Sequence, residues 1–118
     1  MVLEDFYSVI KSERKEGIFI TDIRINKDHQ IFEGHSPNRP VTPGVILMHL
    51  FKEEAERQQN CRLEFHSATN VKFMTVVNPN LDEILRMESK IEKEGDFIRL
   101  KGIAKQKHNT SLKISSLY

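Results

Sequence analysis

Of the groups able to move a proton, the best placed is His35. It opens the stretch His35-Ser36-Pro37-Asn38-Arg39-Pro40-Val41-Thr42-Pro43-Gly44-Val45, which packs three prolines into seven residues. An imidazole titrates near neutrality, so it can take or release a proton at ordinary pH. Proline fixes φ and removes an amide donor, so the loop is stiff and is neither helix interior nor central strand. Apolar helical sequence (Val45-Ile46-Leu47-Met48-His49-Leu50-Phe51) begins directly after Gly44. A rigid loop presenting one histidine beside a helix N-terminus has the make-up of an active-site frame.

The remaining reactive side chains read more blandly. His49 is a lone histidine among apolar helix residues, which by itself is the pattern of a satisfied core residue. His29 and His108 fall in turns and are expected to be solvated. His35, His49, His66 and Glu53 do not form a tight metal-ligand motif. Cys61 is the one cysteine, which excludes an internal disulfide and a zinc-finger framework. It reads as a small buried side chain with no base partner in view.

Bulk properties narrow the classes further. The 118 residues suit a single domain, 1–118, with one core. A net charge of +1 provides no global field for nucleic acid or a membrane surface, so neither is expected as a partner. The N-terminus is acidic, and its apolar run is too short for a signal peptide or a membrane span. Together with the lone cysteine this points to a reducing, cytoplasmic location. Charged residues make up 30% and hydrophobic ones 38%, a composition that suits a small domain completing its burial by oligomerising.

The elements that must position His35 are legible in outline. Leu3 to Lys11 reads as a short helix, with Phe6, Tyr7 and Ile10 on one side and Gly17 ending it. Ile18 to Asn26 is β-branched and alternating, hence a strand. Lys27 to Gln30 is a polar turn. Val45 to Gln59 is the one long helix, its first two turns apolar and its last two polar, so burial is expected to fade along it. Strands follow at Arg62 to Phe65, Ala68 to Val77, Glu83 to Lys93, Phe97 to Lys107 and Ser111 to Leu117. Asn78-Pro79-Asn80, Glu94-Gly95-Asp96 and His108-Asn109 supply turns, the last two closing antiparallel hairpins. One helix plus several antiparallel strands gives an α+β architecture, a sheet wrapped around one helix.

These residues resemble the 3-hydroxyacyl-acyl-carrier-protein dehydratases of the hot-dog fold. In that family a strand leads into a Gly-His-Phe-Pro-Gly-x-Pro-x-x-Pro-Gly loop, and the central helix follows. Gly34, His35, Pro37, Pro40, Pro43 and the Gly44-Val45 pair all match. Val71-Lys72-Phe73-Met74-Thr75-Val76-Val77-Asn78-Pro79-Asn80 is similar to the family's next strand, and the closing strands agree in length and pattern. The resemblance implies a hot-dog fold and a hydro-lyase that converts 3-hydroxyacyl thioesters on acyl carrier protein to trans-2-enoyl thioesters. It implies His35 as the base at C2 and the Gly44 amide as donor to the thioester carbonyl. Phe32, Pro43 and Val45 are expected against the substrate. No cofactor is implied, because the thioester itself acidifies C2. The family's sites lie between two subunits whose helices stand side by side. A homodimer or higher homo-oligomer is therefore expected, or a heterodimer with a paralogue.

One departure divides the readings. The family's second catalytic group is a helix carboxylate fourteen positions after the histidine, and here that position is His49. A protonated imidazole can also deliver a proton to a leaving hydroxyl. Glu53 follows at i+4, where it can lean back, hold the ring and favour its charged form. Ser36 and Asn38 replace the loop's phenylalanine and glycine. Besides the dehydratase, two functions compete: a catalytically degenerate subunit that pairs with an active dehydratase, and an acyl thioesterase, whose relatives generally lack the proline loop.

Overall fold

A computed structural model of the chain describes residues 5–32, 42–107 and 109–118. The elements are β1 (Tyr7–Lys15), β2 (Ile18–Ile25), a 3-10 turn (Gln30–Phe32), α1 (Gly44–Gln59), β3 (Ser67–Phe73), β4 (Ile84–Glu94), β5 (Phe97–Gln106) and β6 (Asn109–Leu117). The strands form one antiparallel sheet of order β1-β2-β4-β5-β6-β3. This is the hot-dog arrangement, a sheet curled about a single helix.

Alternation decides which sheet face is buried. On β5, Ile98, Leu100, Gly102, Ala104 and Gln106 point inward, while Phe97 and Lys101 at alternate positions are exposed. Ile23 and Ile25 of β2, Leu85 and Met87 of β4, and Leu112 and Ile114 of β6 complete the inner surface. Ile46, Leu47, Leu50, Phe51 and Ala55 of α1 close over it. The helix comes nearest at Gly102, where a Cβ would stand 2.6 Å from Phe51 Cε1. Only glycine lets the Phe51 ring lie this close to β5.

Helix α1 ends as its sequence dictates. Asn60 takes the left-handed conformation at φ 53° and ψ 44°, and its amide donates to the Glu56 carbonyl. Burial does not stop after two turns, however. Glu54 and Ala55 in the third turn are fully enclosed. Glu54 tolerates this because Arg57 Nη2 and Nε donate to its Oε1 at 3.1 and 3.3 Å.

Further expectations are corrected. Leu3 to Lys11 does not form a helix: Tyr7–Lys15 is strand β1, paired with β2 from Tyr7↔Ile25 to Lys15↔Ile18. Apart from Tyr7, β1 is exposed on both faces, so no two-residue period marked it, and ladder pairing overrode the spacing of Phe6, Tyr7 and Ile10. Residues 62–66 are irregular, and β3 stops at Phe73 because Met74 and Thr75 turn to bond Ser111 and Thr110 while Val77 enters the core. Cys61 is exposed just past the helix end. His29 is also less solvated than its turn suggested. Its Nδ1 accepts the Ile31 amide at 3.0 Å and its ring meets Phe6 edge-on at 5.4 Å. His108 lies outside the described residues.

Candidate functional site

The start of α1 is built for close approach. Pro43 caps it with φ −58° and ψ 145°, and no side chain bonds the first amides. The Pro43 carbonyl takes the amides of Ile46 and Leu47 at 3.0 and 3.3 Å, the first helical bonds. The amides of Gly44 and Val45 precede them, without a hydrogen-bond acceptor among the described residues. The macrodipole adds partial positive charge at this end. Thr42 donates its amide to the Val77 carbonyl at 2.9 Å, which lays residues 42–44 beside the segment after β3. Four large apolar side chains on these neighbouring segments, Val45, Phe73, Met74 and Val76, remain exposed.

The outward stripe of α1 continues from Val45 to His49, one turn on. The His49 side chain is 24% exposed, so it is not the enclosed core residue its apolar neighbours suggested. Its Nε2 stands 3.7 Å from Glu53 Oε2, an ion-pair separation longer than a hydrogen bond. The i+4 reach read from the sequence is thus realised.

Sequence reasoning missed what holds Glu53. Tyr7 of β1 donates its hydroxyl to Glu53 Oε1 at 2.7 Å. Arg57, a turn beyond Glu53, donates Nη1 to the same Tyr7 oxygen at 2.6 Å and lays its guanidinium 5.6 Å from the centre of that ring. Burial, together with the bond to Glu53, pushes the Tyr7 hydroxyl up to about 12. Four side chains, His49, Glu53, Tyr7 and Arg57, therefore form one chain of contacts, anchored at its far end on buried Glu54. Reading Tyr7 onto a helix concealed this; pairing Tyr7 with Ile25 on a strand was the signal that could have placed it near α1.

The other site residues lie as follows. Phe32 ends the 3-10 turn, half-buried, its ring 5.9 Å from Phe6 at the margin of the core. Pro43, Gly44 and Val45 share the helix start. His35 lies outside the described residues. No three histidine, cysteine, aspartate or glutamate side chains gather as a metal-binding group among the described residues. No described helix is long and apolar enough to cross a membrane.

A curled antiparallel sheet around one helix, with an uncapped Gly-Val helix start after a proline-rich sequence, is the arrangement of the hot-dog class. Residues 11–113 match the family described as ApeI-like, ApeI dehydratase, and the chain belongs to that family. Among curated relatives, it is 30% identical over 84 residues to the 3-hydroxyacyl-acyl-carrier-protein dehydratase FabZ of Caulobacter sp. (strain K31), covering 63% of this chain and 50% of that protein. The FabZ of Rhodospirillum rubrum is 25% identical over 114 residues, covering 89% of this chain and 68% of its own length. The chain thus spans half the length of the Caulobacter protein. In fold it is similar to a chain of the dehydratase heterocomplex ApeI:P from Xenorhabdus doucetiae, with a TM-score of 0.72 at 19% identity over 93% of this chain and 96% of that one.

Proposed function

We propose that this protein dehydrates 3-hydroxyacyl thioesters carried on acyl carrier protein, giving trans-2-enoyl thioesters in fatty-acid or polyene-type biosynthesis in the cytoplasm. His35 takes a proton from C2. The Gly44 amide meets the charge that gathers on the thioester oxygen, where a helix N-terminus favours it. His49, protonated, gives its proton to the 3-hydroxyl as the C3–O bond breaks, C2=C3 forms and water leaves. The one observation that carries this reading is the state of His49. A titratable ring stands where the family has its helix carboxylate, partly open to solvent and paired with Glu53. A residue kept for packing alone needs neither property.

Single domains of this kind, spanning 1–118, work together as dimers or larger homo-oligomers. The exposed Val45, Phe73, Met74 and Val76 beside the helix start are apolar surface that a second subunit would cover. A second reading draws on the similar Xenorhabdus structure, which is described as a heterocomplex. On that reading the chain is an accessory subunit covering the same surface of an active paralogue.

The test is interconversion of a 3-hydroxyacyl and a 2-enoyl carrier-protein thioester, with wild type, His35→Ala and His49→Ala compared. Turnover without thiol release, lost in both variants, supports the two-histidine dehydratase. Release of free thiol means a thioesterase. No turnover by folded wild type across several chain lengths transfers the assignment to the accessory subunit.

A further inference from the structure

We propose that Tyr7 is the positioning residue of the His49–Glu53 pair: it turns Glu53 so that His49 keeps Nε2 toward the carboxylate and presents Nδ1 to the substrate. The proposal rests on the reading of His49 as the proton carrier.

The direction of each hydrogen bond is forced. A guanidinium only donates. Arg57 uses Nε and Nη2 on Glu54 Oε1, so its position is set by a carboxylate that is itself fully buried. Its remaining Nη1 donates to the Tyr7 oxygen at 2.6 Å. Tyr7 therefore accepts from Arg57, and its single proton must go elsewhere. Glu53 Oε1, 2.7 Å away, is the acceptor in place. With that oxygen engaged, the other, Oε2, faces His49 Nε2 at 3.7 Å. Among the described residues His49 Nδ1 has no partner, so it is the nitrogen left for a ligand. The Glu53 side chain is 29% exposed and on an unconstrained helix face would sample several rotamers. Tyr7 removes that freedom. The high pKa of Tyr7 keeps it a donor over the whole working range.

A catalytic contact that is long in the free protein can tighten in the substrate complex, so 3.7 Å is a poised separation. In one cycle Nδ1 gives its proton to the leaving hydroxyl. The neutral ring left behind carries its hydrogen on Nε2, toward Glu53, which is the tautomer the pair selects.

The test is ring-nitrogen NMR of the intact protein labelled at histidine, with the His49 signals assigned by their loss in His49→Gln. Neutral His49 is expected to be predominantly the Nε2–H tautomer in wild type. Both Tyr7→Phe and Glu53→Gln are expected to move it toward a mixture. An unchanged tautomer ratio in folded Tyr7→Phe overturns the proposal. If Tyr7→Phe does not fold, Glu53→Gln decides, since an unchanged ratio there overturns it equally. In the carrier-protein assay Tyr7→Phe should lower kcat on the order of tenfold at constant KM. A wild type that is inactive but shows the tautomer dependence sinks the dehydratase reading and leaves the positioning intact.

Discussion

The ring of Phe73 lies where a side chain at position 44 would have to go: a Cβ on Gly44 would stand 2.6 Å from Phe73 Cζ and 2.7 Å from Cε1. Phe73 is 53% exposed, so it has room to swing aside. Gly44→Ala should therefore fold, with a cost of about 1 kcal/mol or less, because better helix propensity offsets part of the displacement. In a Phe73→Ala background the same change should cost nothing or stabilise. Thermal unfolding of the four proteins checks this as a double-mutant cycle, and additive effects would remove the contact from the account.

How much of this was readable in advance depends on the range of each contact. α1, β2, β4, β5 and β6 announced themselves through period and turn residues, because each reads one local environment along its whole length. The His49–Glu53 pair was legible for the same reason, being a single helical turn. Tyr7 and Glu53 are 46 positions apart, and nothing local to either marks the other. Phe73 and Gly44 likewise meet only once β3 has been placed. β1 failed as a strand on paper because water lies on both its faces, leaving no hydrophobic alternation to count. His35 lies outside the described residues.

Gly102 presents the harsher version of the Gly44 contact. A methyl there would stand 2.6 Å from Phe51 Cε1, and Phe51 is 1% exposed with no route outward. Gly102→Ala should cost about 1–3 kcal/mol by overpacking. Adding Phe51→Leu should recover part of that loss in chemical denaturation. If Gly102→Ala alone is neutral, α1 does not sit against β5 as described.

The two tyrosines give a pH signature. Burial raises both, and Tyr7 reaches about 12 against an ordinary 10.0. An unfolded Tyr7 would lose its proton near 10.0, while the folded one keeps it to about 12. The stability tied to that proton is whole below pH 10.0 and drains away as pH climbs through about 12. In ultraviolet titration of native Tyr118→Phe, the remaining phenol should ionise near 12. Glu53→Gln should bring it down, since the Glu53 bond is part of the cause. A step at the ordinary value in the folded variant would contradict the buried, donor-bound hydroxyl.

Glu54 and Arg57 should respond asymmetrically. Arg57→Ala leaves a fully buried carboxylate without its cation, and should cost about 2–3 kcal/mol. That is below the range for wholly buried pairs because the Arg57 side chain is 33% exposed. Replacing both, Glu54→Leu with Arg57→Leu, removes the charge problem and should recover most of the loss. Equal instability of the single and double variants would show that packing, and not charge, governs this turn.

The bond from Tyr7 to Glu53 also sets an order in time. His49 and Glu53 can become neighbours as soon as α1 winds, on the timescale of a helix. Tyr7 arrives only when the β1–β2 hairpin has joined β4 across the intervening helix, a distant pairing whose loop entropy makes it slow. The His49–Glu53 pair can thus exist before folding is complete, but the Tyr7 bond that holds Glu53 cannot. Capture of the Tyr7 hydroxyl is what ties this turn of α1 to β1.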